Sequence, residues 1–308
     1  MSSVLYDVPG PRAIARNRIL AVVTVAVVAA VVGFVVYRMA ATGQFTADKW
    51  YVFTFTNVWM SIFKALGQTL GAFALAAVLS LALGFVLAIG RLSEHAWVRV
   101  PVTVLTELFR AVPVLVFMML LYYGLPVLGV RMDPYWAVVL GLMVYNGSVL
   151  AEALRAGIES LPKGQREAGY AIGLRKSGVM AFILLPQAIR AMLPVIVAQL
   201  VVTLKDTALG FIITYPELLY YAKLLSSQQG RPILQSAFVI GAIYIAMCLI
   251  LSGVAKWLEI RTRHSPKLKG YTPGADDDPR VHDGTVTEVI AMQRGGGKFD
   301  AGGVGPTL

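Results

Sequence analysis

Lys205 and Asp206 are the residues whose chemistry conflicts most with their surroundings. They lie within residues 191–215, which are otherwise almost wholly apolar. A charge at the centre of a bilayer costs about 2.5–3.5 kcal/mol on insertion scales, so it is a candidate for function. On a helix starting near Ala191, Lys205 stands about 20 Å along the axis, well inside the hydrocarbon. One reading makes this segment the lining or gate of a solute pathway. Thr207 and Gly210 would then loosen the helix and turn backbone groups toward a polar cavity. The other reading is a structural ion pair near the outer interface, with a snorkelling lysine. Gln199 and Thr203 stand one turn apart on the same helix. They either line a polar cavity or bond a neighbouring helix, and the second reading is favoured. Arg110, near Pro113, can pair with Glu107 three residues back on one helix face. Asn146 and Glu152 form a further polar set, and both sets read first as structural.

Other chemistries find little support. The single cysteine, Cys248, lies in an apolar segment and allows no disulfide within the chain. His95, His264 and His282 are scattered and lack metal-ligand spacing, so no metal site is expected. The chain carries no G-x4-G-K-[ST] phosphate loop, so catalysis on a nucleotide is not expected of it. The formal charge is +10, but the aromatic residues fall mostly in or at the ends of apolar runs and few stand among the basic clusters. That arrangement speaks against nucleic acid and for basic loops beside a lipid bilayer.

The elements that would hold these residues are membrane helices. Hydrophobic residues make up 57% of the 308, and charged residues only 14%. A soluble domain carries about 25% charged residues. The expected fold is all-α and polytopic, with six transmembrane helices near 19–39, 66–89, 100–124, 135–156, 188–215 and 232–260. The first apolar run is too long for a signal peptide and reads as an uncleaved span. Lysine and arginine crowd one set of loops, including Arg12, Arg16, Arg91, Arg99, Arg155, Lys163, Arg175 and Lys176. The positive-inside rule places that set, and both termini, in the cytoplasm of a multi-pass protein of the cell membrane. The expected order is a cytoplasmic segment 1–18, an extra first helix 19–39, an interfacial segment 40–65, a core 66–260 and a tail 261–308. Residues 50–63 are aromatic and read as an amphipathic interfacial helix. The tail lacks apolar periodicity and reads as disordered and cytoplasmic.

Residues 152–194 interrupt this pattern: they are charged, glycine-punctuated and amphipathic. Pro162 suits the first turn of a helix, and Ser160 stands ready to help cap it. Gly173 suits a helix C-terminus that needs a left-handed residue. The intervening helix is about 15 Å long and crosses nothing. Small residues at Ala168, Gly169 and Ala171 let another protein approach closely. Ser177 is placed to cap the next helix, and Pro186 and Pro194 to restart or kink it.

The motifs here fall in order and at fixed spacing. Glu167, Ala168, Gly173, Ile183, Leu185 and Pro186 fit E-A-A-x3-G-x9-I-x-L-P, with Gly169 in place of the second alanine. That exchange keeps the side chain small and weakens helicity by about 1 kcal/mol. R-x-G-I-x-S-L-P-x-G-Q-x-E-A runs from Arg155 to Ala168 through Pro162, Gly164 and Gln165, and L-P-Q-A-I-R runs from Leu185 to Arg190. Residues 205–209 are close to K-D-T-S-L, with Ala208 departing from it. Residues 107–113 are close to E-x-x-R-G-x-P, with Ala111 departing. On these residues, the stretch 66–260 resembles the permease subunits of ATP-binding-cassette importers of the polar amino-acid (histidine, glutamate, glutamine) type. The opening Val4-Leu5-Tyr6-Asp7 to Pro9-Gly10-Pro11 and the long tail are most similar to actinobacterial glutamate permeases.

The resemblance implies a type I importer permease fold and makes residues 162–173 a coupling helix. Pro162, Gly164, Gln165, Glu167, Ala168, Gly169 and Gly173 would then dock on a cytoplasmic ATPase dimer. It further implies a second permease subunit, either a related chain or a copy of this one, and an extracytoplasmic amino-acid-binding protein. ATP and its magnesium ion would be held by the ATPase subunits, with no cofactor on this chain. Glutamate is the favoured cargo, with glutamine, aspartate or histidine as alternatives. Among other classes, a stand-alone ion-coupled carrier would call for inverted repeats, and none is visible. A pore-less scaffold leaves Lys205-Asp206 and the coupling motif unexplained.

Overall fold

Every regular element among the described residues is a helix. The computed structural model describes residues 10–228 and 232–262. The opening motif at Val4 and the tail beyond Thr262 lie outside the described residues. The α-helices of six or more residues are α1 (Pro11–Ala41), α2 (Thr56–Arg91), α3 (Ala96–Ala111), α4 (Val114–Met119), α5 (Pro134–Glu159), α6 (Lys163–Ala171), α7 (Leu185–Asp206), α8 (Leu218–Ser226) and α9 (Ile233–Thr262). Five stretches are long and apolar enough to cross a membrane: Pro11–Ala41, Thr56–Arg91, Pro134–Glu159, Lys176–Ile213 and Ile233–Trp257. Apolar runs of this length become helices because lipid offers the backbone no hydrogen-bond partners.

The expected third span, 100–124, is not one helix. Ala96–Ala111 and Val114–Val127 meet at 96°, and only together do they make a sixth crossing. The corner is at Val112, which is extended (φ −88°, ψ 125°) ahead of Pro113. Proline's ring excludes the helical conformation from the residue before it. The expected interfacial helix 50–63 is also not a single element. It divides into a short helix at Ala47–Trp50, a 3-10 turn at Tyr51–Thr54 and the first turns of α2. Phe55 separates the two parts in an extended conformation.

The centre of the molecule is the pairing of α2 with α5. Small residues at every fourth position of α2 (Ala72, Ala76, Ser80, Gly84 and Ala88) are all buried. Gly141, Gly147 and Ala151 are buried on α5. Small side chains let two helices approach where lipid supplies no hydrophobic drive between them. A Cβ on Gly84 would lie 2.9 Å from the Gly147 carbonyl oxygen, so these backbones nearly touch. Met118 of α4 packs on this pair together with Ile213 and Tyr215. A second cluster joins α8 and α9 to α2 through Leu218, Ala222, Ile240, Ile62 and Ala65. By contrast, α1 buries none of its residues. Its apolar surface fits contact with lipid.

Candidate functional site

The polar segment folds as a short helix on a firm support. Pro162 is the N-cap of α6, one position earlier than expected, and no side chain caps this end. Ser160 does not cap α6. It is the C-cap of α5, and its hydroxyl donates to the Gly157 carbonyl at 2.8 Å. The C-terminal end matches the sequence reading. Gly173 takes φ 82°. Its N–H bonds the Tyr170 carbonyl at 2.9 Å, and the Leu174 N–H bonds the Gly169 carbonyl at 3.1 Å. These paired bonds close a Schellman motif, which calls for a left-handed residue at this position.

The face of α6 open to a partner is the one its packing leaves uncovered. Residues 162–168 are all exposed, and Gly169 is the buried residue of α6. An added Cβ there would meet Ile183 Cδ1 at 2.8 Å and Val179 Cγ2 at 2.9 Å. This explains the departure from the second alanine of the motif: glycine lets α6 sit closer to the segment behind it. Gln187 donates to Gln165 Oε1 at 3.3 Å, a second tie from α6 to α7. Two apolar residues, Tyr170 and Ile172, are 44% and 75% exposed beside this polar helix. Exposed apolar groups of this size mark contact surfaces when they cluster. Both were passed over in the sequence reading, although an aromatic and an aliphatic residue in so polar a stretch were a usable signal.

The segment behind α6 links it to α7. It starts with a single turn at Lys176–Gly178, runs as a π-helix over Val179–Leu184 and passes into α7 with Pro186 in its first turn. The expected restart at Pro186 does not occur. The wider π-turn accommodates the proline, and Lys176–Ile213 runs as one helical stretch of 38 residues. Arg175, not Ser177, is the N-cap, and no side chain caps that end either. Pro194 lies inside α7 without ending it.

A charged network stands beside the same ends of α2, α3 and α5. Arg91, with only 8% of its side chain exposed, pairs with Glu107 and with Glu152 at 3.0 Å each. Arg110 pairs with Glu107 at 3.3 Å, as its spacing implied. Arg155 holds Glu152 at 2.6 Å and reaches Glu159 one turn on. Three arginines and three glutamates thus neutralise each other across three helices. Asn146 does not join Glu152. Its Nδ2 donates to the Leu142 carbonyl, and its Oδ1 accepts from Gln199 Nε2 at 2.6 Å.

Gln199 therefore bonds a neighbouring helix. Thr203 is fully buried and donates back to the Gln199 carbonyl at 2.9 Å. Thr207, also fully buried, donates to the Leu204 carbonyl at 2.6 Å. The α-helical register ends at Asp206, and Thr207–Ile213 continues as a 3-10 helix. The turn closes on Thr214, a β-branched residue held at φ 64°. Such a residue pays strain in the left-handed region. Lys205 is exposed and Asp206 half-buried, and among the described residues the ion pairs all lie elsewhere. The change of helix type and the two charges coincide, whereas the hydroxyls beside them are turned inward.

Residues 80–264 match the family of binding-protein-dependent transport system inner membrane components. A glutamate transport system permease protein of Corynebacterium glutamicum is 37% identical over 245 residues, which are 78% of this chain and 89% of its own length. A probable glutamine ABC transporter permease protein of Bacillus subtilis is 33% identical over 162 residues, 52% of this chain and 74% of its own. The crystal structure of an amino acid ABC transporter with histidines superposes with a TM-score of 0.63 at 27% identity. It covers 70% of this chain and 99% of the solved one.

Proposed function

The chain belongs to the family of binding-protein-dependent transport system inner membrane components, and from that premise we propose that it is the permease subunit of an ATP-driven importer of glutamate. In this reading it forms half of a translocation pore in the plasma membrane, with both termini cytoplasmic. Two cytoplasmic ATPase subunits supply the energy, a second permease completes the pore, and an extracytoplasmic binding protein delivers cargo. The observation that carries the reading is α6: a short helix, exposed over residues 162–168, seated through Gly169 on the segment that runs into α7. A partner closing on α6 pushes Val179 and Ile183, and with them the helix that ends at Lys205-Asp206.

Glutamine is the second cargo reading, supported by the similarity to a glutamine permease. The binding protein sets much of that selectivity.

The test is to purify the chain with its native partners, reconstitute the assembly and measure ATP-dependent uptake across a labelled amino-acid panel. Saturable glutamate uptake that needs ATP is expected. Uptake by this chain alone without ATP would overturn the importer reading, and exclusive uptake of another amino acid would overturn the cargo.

A further inference from the structure

A cleft of about 470 Å³ opens on the side of the Lys176–Leu184 segment away from α6. Its walls are the last turns of α2 (Phe85, Ala88, Ile89), the end of α5 (Leu154, Ile158) and Met180, Ala181 and Leu185. Its polar residues gather at one end: Ser93, Glu94 and His95 from the α2–α3 loop, and Lys176 and Ser177 opposite. We propose that this cleft binds one anionic phospholipid, with an acyl chain along the apolar wall and the headgroup phosphate at the basic rim beside Arg175 and Lys176.

Three observations point to that occupant. The volume lies within the range of about 300–1,000 Å³ of apolar small-molecule sites, room for one acyl chain of a lipid with the rest of it outside. The division into apolar wall and polar rim follows depth. Phe85, Ala88 and Ile89 occupy the final turns of a membrane-crossing helix that ends at Arg91. The loop and Lys176 stand where a headgroup layer meets such an end. Charge at the rim favours an anion. Lys176 meets Glu94 at 2.5 Å, which leaves that pair neutral. Arg175, next to Lys176, and Arg99, one turn beyond His95, are both exposed and add positive charge. Basic residues at the headgroup level attract anionic lipid.

The location gives such a lipid a consequence. Met180 and Ala181 face the cleft, while Val179 and Ile183 of the same π-turn support Gly169 of α6. Whatever fills the cleft braces the segment through which the docking helix reaches the membrane.

Native mass spectrometry of the full-length chain in detergent, offered phosphatidylglycerol or phosphatidylcholine, tests this. The wild type is expected to retain one phosphatidylglycerol, with about fivefold preference over phosphatidylcholine, the contribution of one cation near the surface. Arg175→Gln, which removes a rim cation outside the neutral Lys176–Glu94 pair, is expected to lose that preference. Ala181→Trp places an indole in the cleft from an exposed position and is expected to lose the adduct. Phe182→Trp, at a neighbouring position that is 77% exposed and not part of the cleft wall, should keep it. No long-lived adduct on the wild type, equal retention of the two lipids, or undiminished binding by Ala181→Trp would each overturn the proposal. So would displacement of the lipid by inorganic phosphate, which would make the site one for a soluble anion.

Discussion

Glu217 shows what a single residue does in this chain. It is fully buried, and its carboxylate accepts from the Leu219 and Tyr220 N–H groups at 2.7 and 2.6 Å and from the Tyr244 hydroxyl at 2.7 Å. It caps α8 and ties that helix to α9. A buried carboxylate is tolerable when several donors surround it. Hydropathy does not single it out, because Glu217 follows an apolar span and does not interrupt one. Glutamate is not among the residues that favour an N-cap, so its place between Pro216 and an apolar run gave only the weaker signal of an acidic residue at a helix start. Replacing it with glutamine turns an NH2 group toward donors. Glu217→Gln is therefore expected to destabilise the protein by about 1–3 kcal/mol, measured as a lower thermal midpoint in detergent. Tyr244→Phe removes a single bond and should cost less. Equal stability of Glu217→Gln and wild type would show that the cap contributes nothing.

At the scale of elements, the proposed passage of movement from α6 rests on its packing against the π-turn. Gly169→Ala restores the residue that the motif would carry. Helix propensity then favours the variant by about 1 kcal/mol. Overpacking opposes this by about 1–3 kcal/mol, because the new Cβ meets Val179 Cγ2 at 2.9 Å, and that atom is a short branch with little freedom to move. The clash is expected to win. Gly169→Ala should insert normally yet lower the ATPase activity that transport stimulates, read as phosphate release in the reconstituted assembly. Gly173→Ala puts a side chain at φ 82° and should cost about 1 kcal/mol locally, with the same sign on coupling. Unchanged coupling in both variants would remove α6 from the energy path. The helix and its C-terminus were readable, because a glycine at the end of a short amphipathic stretch has few other uses. The caps assigned to Ser160 and Ser177 were not, because a serine near a helix end serves whichever helix its backbone happens to close. The corner at Val112–Pro113 was visible in the proline, but apolar composition on both sides concealed it.

At the scale of the molecule, the central question is whether the end of α7 meets the cargo. Lys205 is exposed, at the point where α-helix gives way to 3-10 helix. Lys205→Met in an assembled transporter is expected to lower ATP-dependent uptake by tenfold or more, the scale of about 1.4 kcal/mol in one charged contact. Normal uptake would return Lys205 to a structural role. The inward turn of Thr203 and Thr207 predicts that their alanine variants affect stability more than transport.

The sequence by itself determined that this is a helical membrane protein with a family-specific polar segment, because apolar run length and motif spacing are local properties. It also determined the left-handed glycine that ends α6 and the pairing of Arg110 with Glu107, since each involves residues within one turn. Only the tertiary structure decided which polar groups meet across helices. Gln199 found Asn146, Arg91 bridged Glu107 and Glu152, and Gly169 gained its tight seat on Val179 and Ile183. Those choices depend on the rotation and depth of one helix against another. Small residues fix that geometry through backbone contact, as at Gly84 and Gly147, and hydropathy carries no record of it.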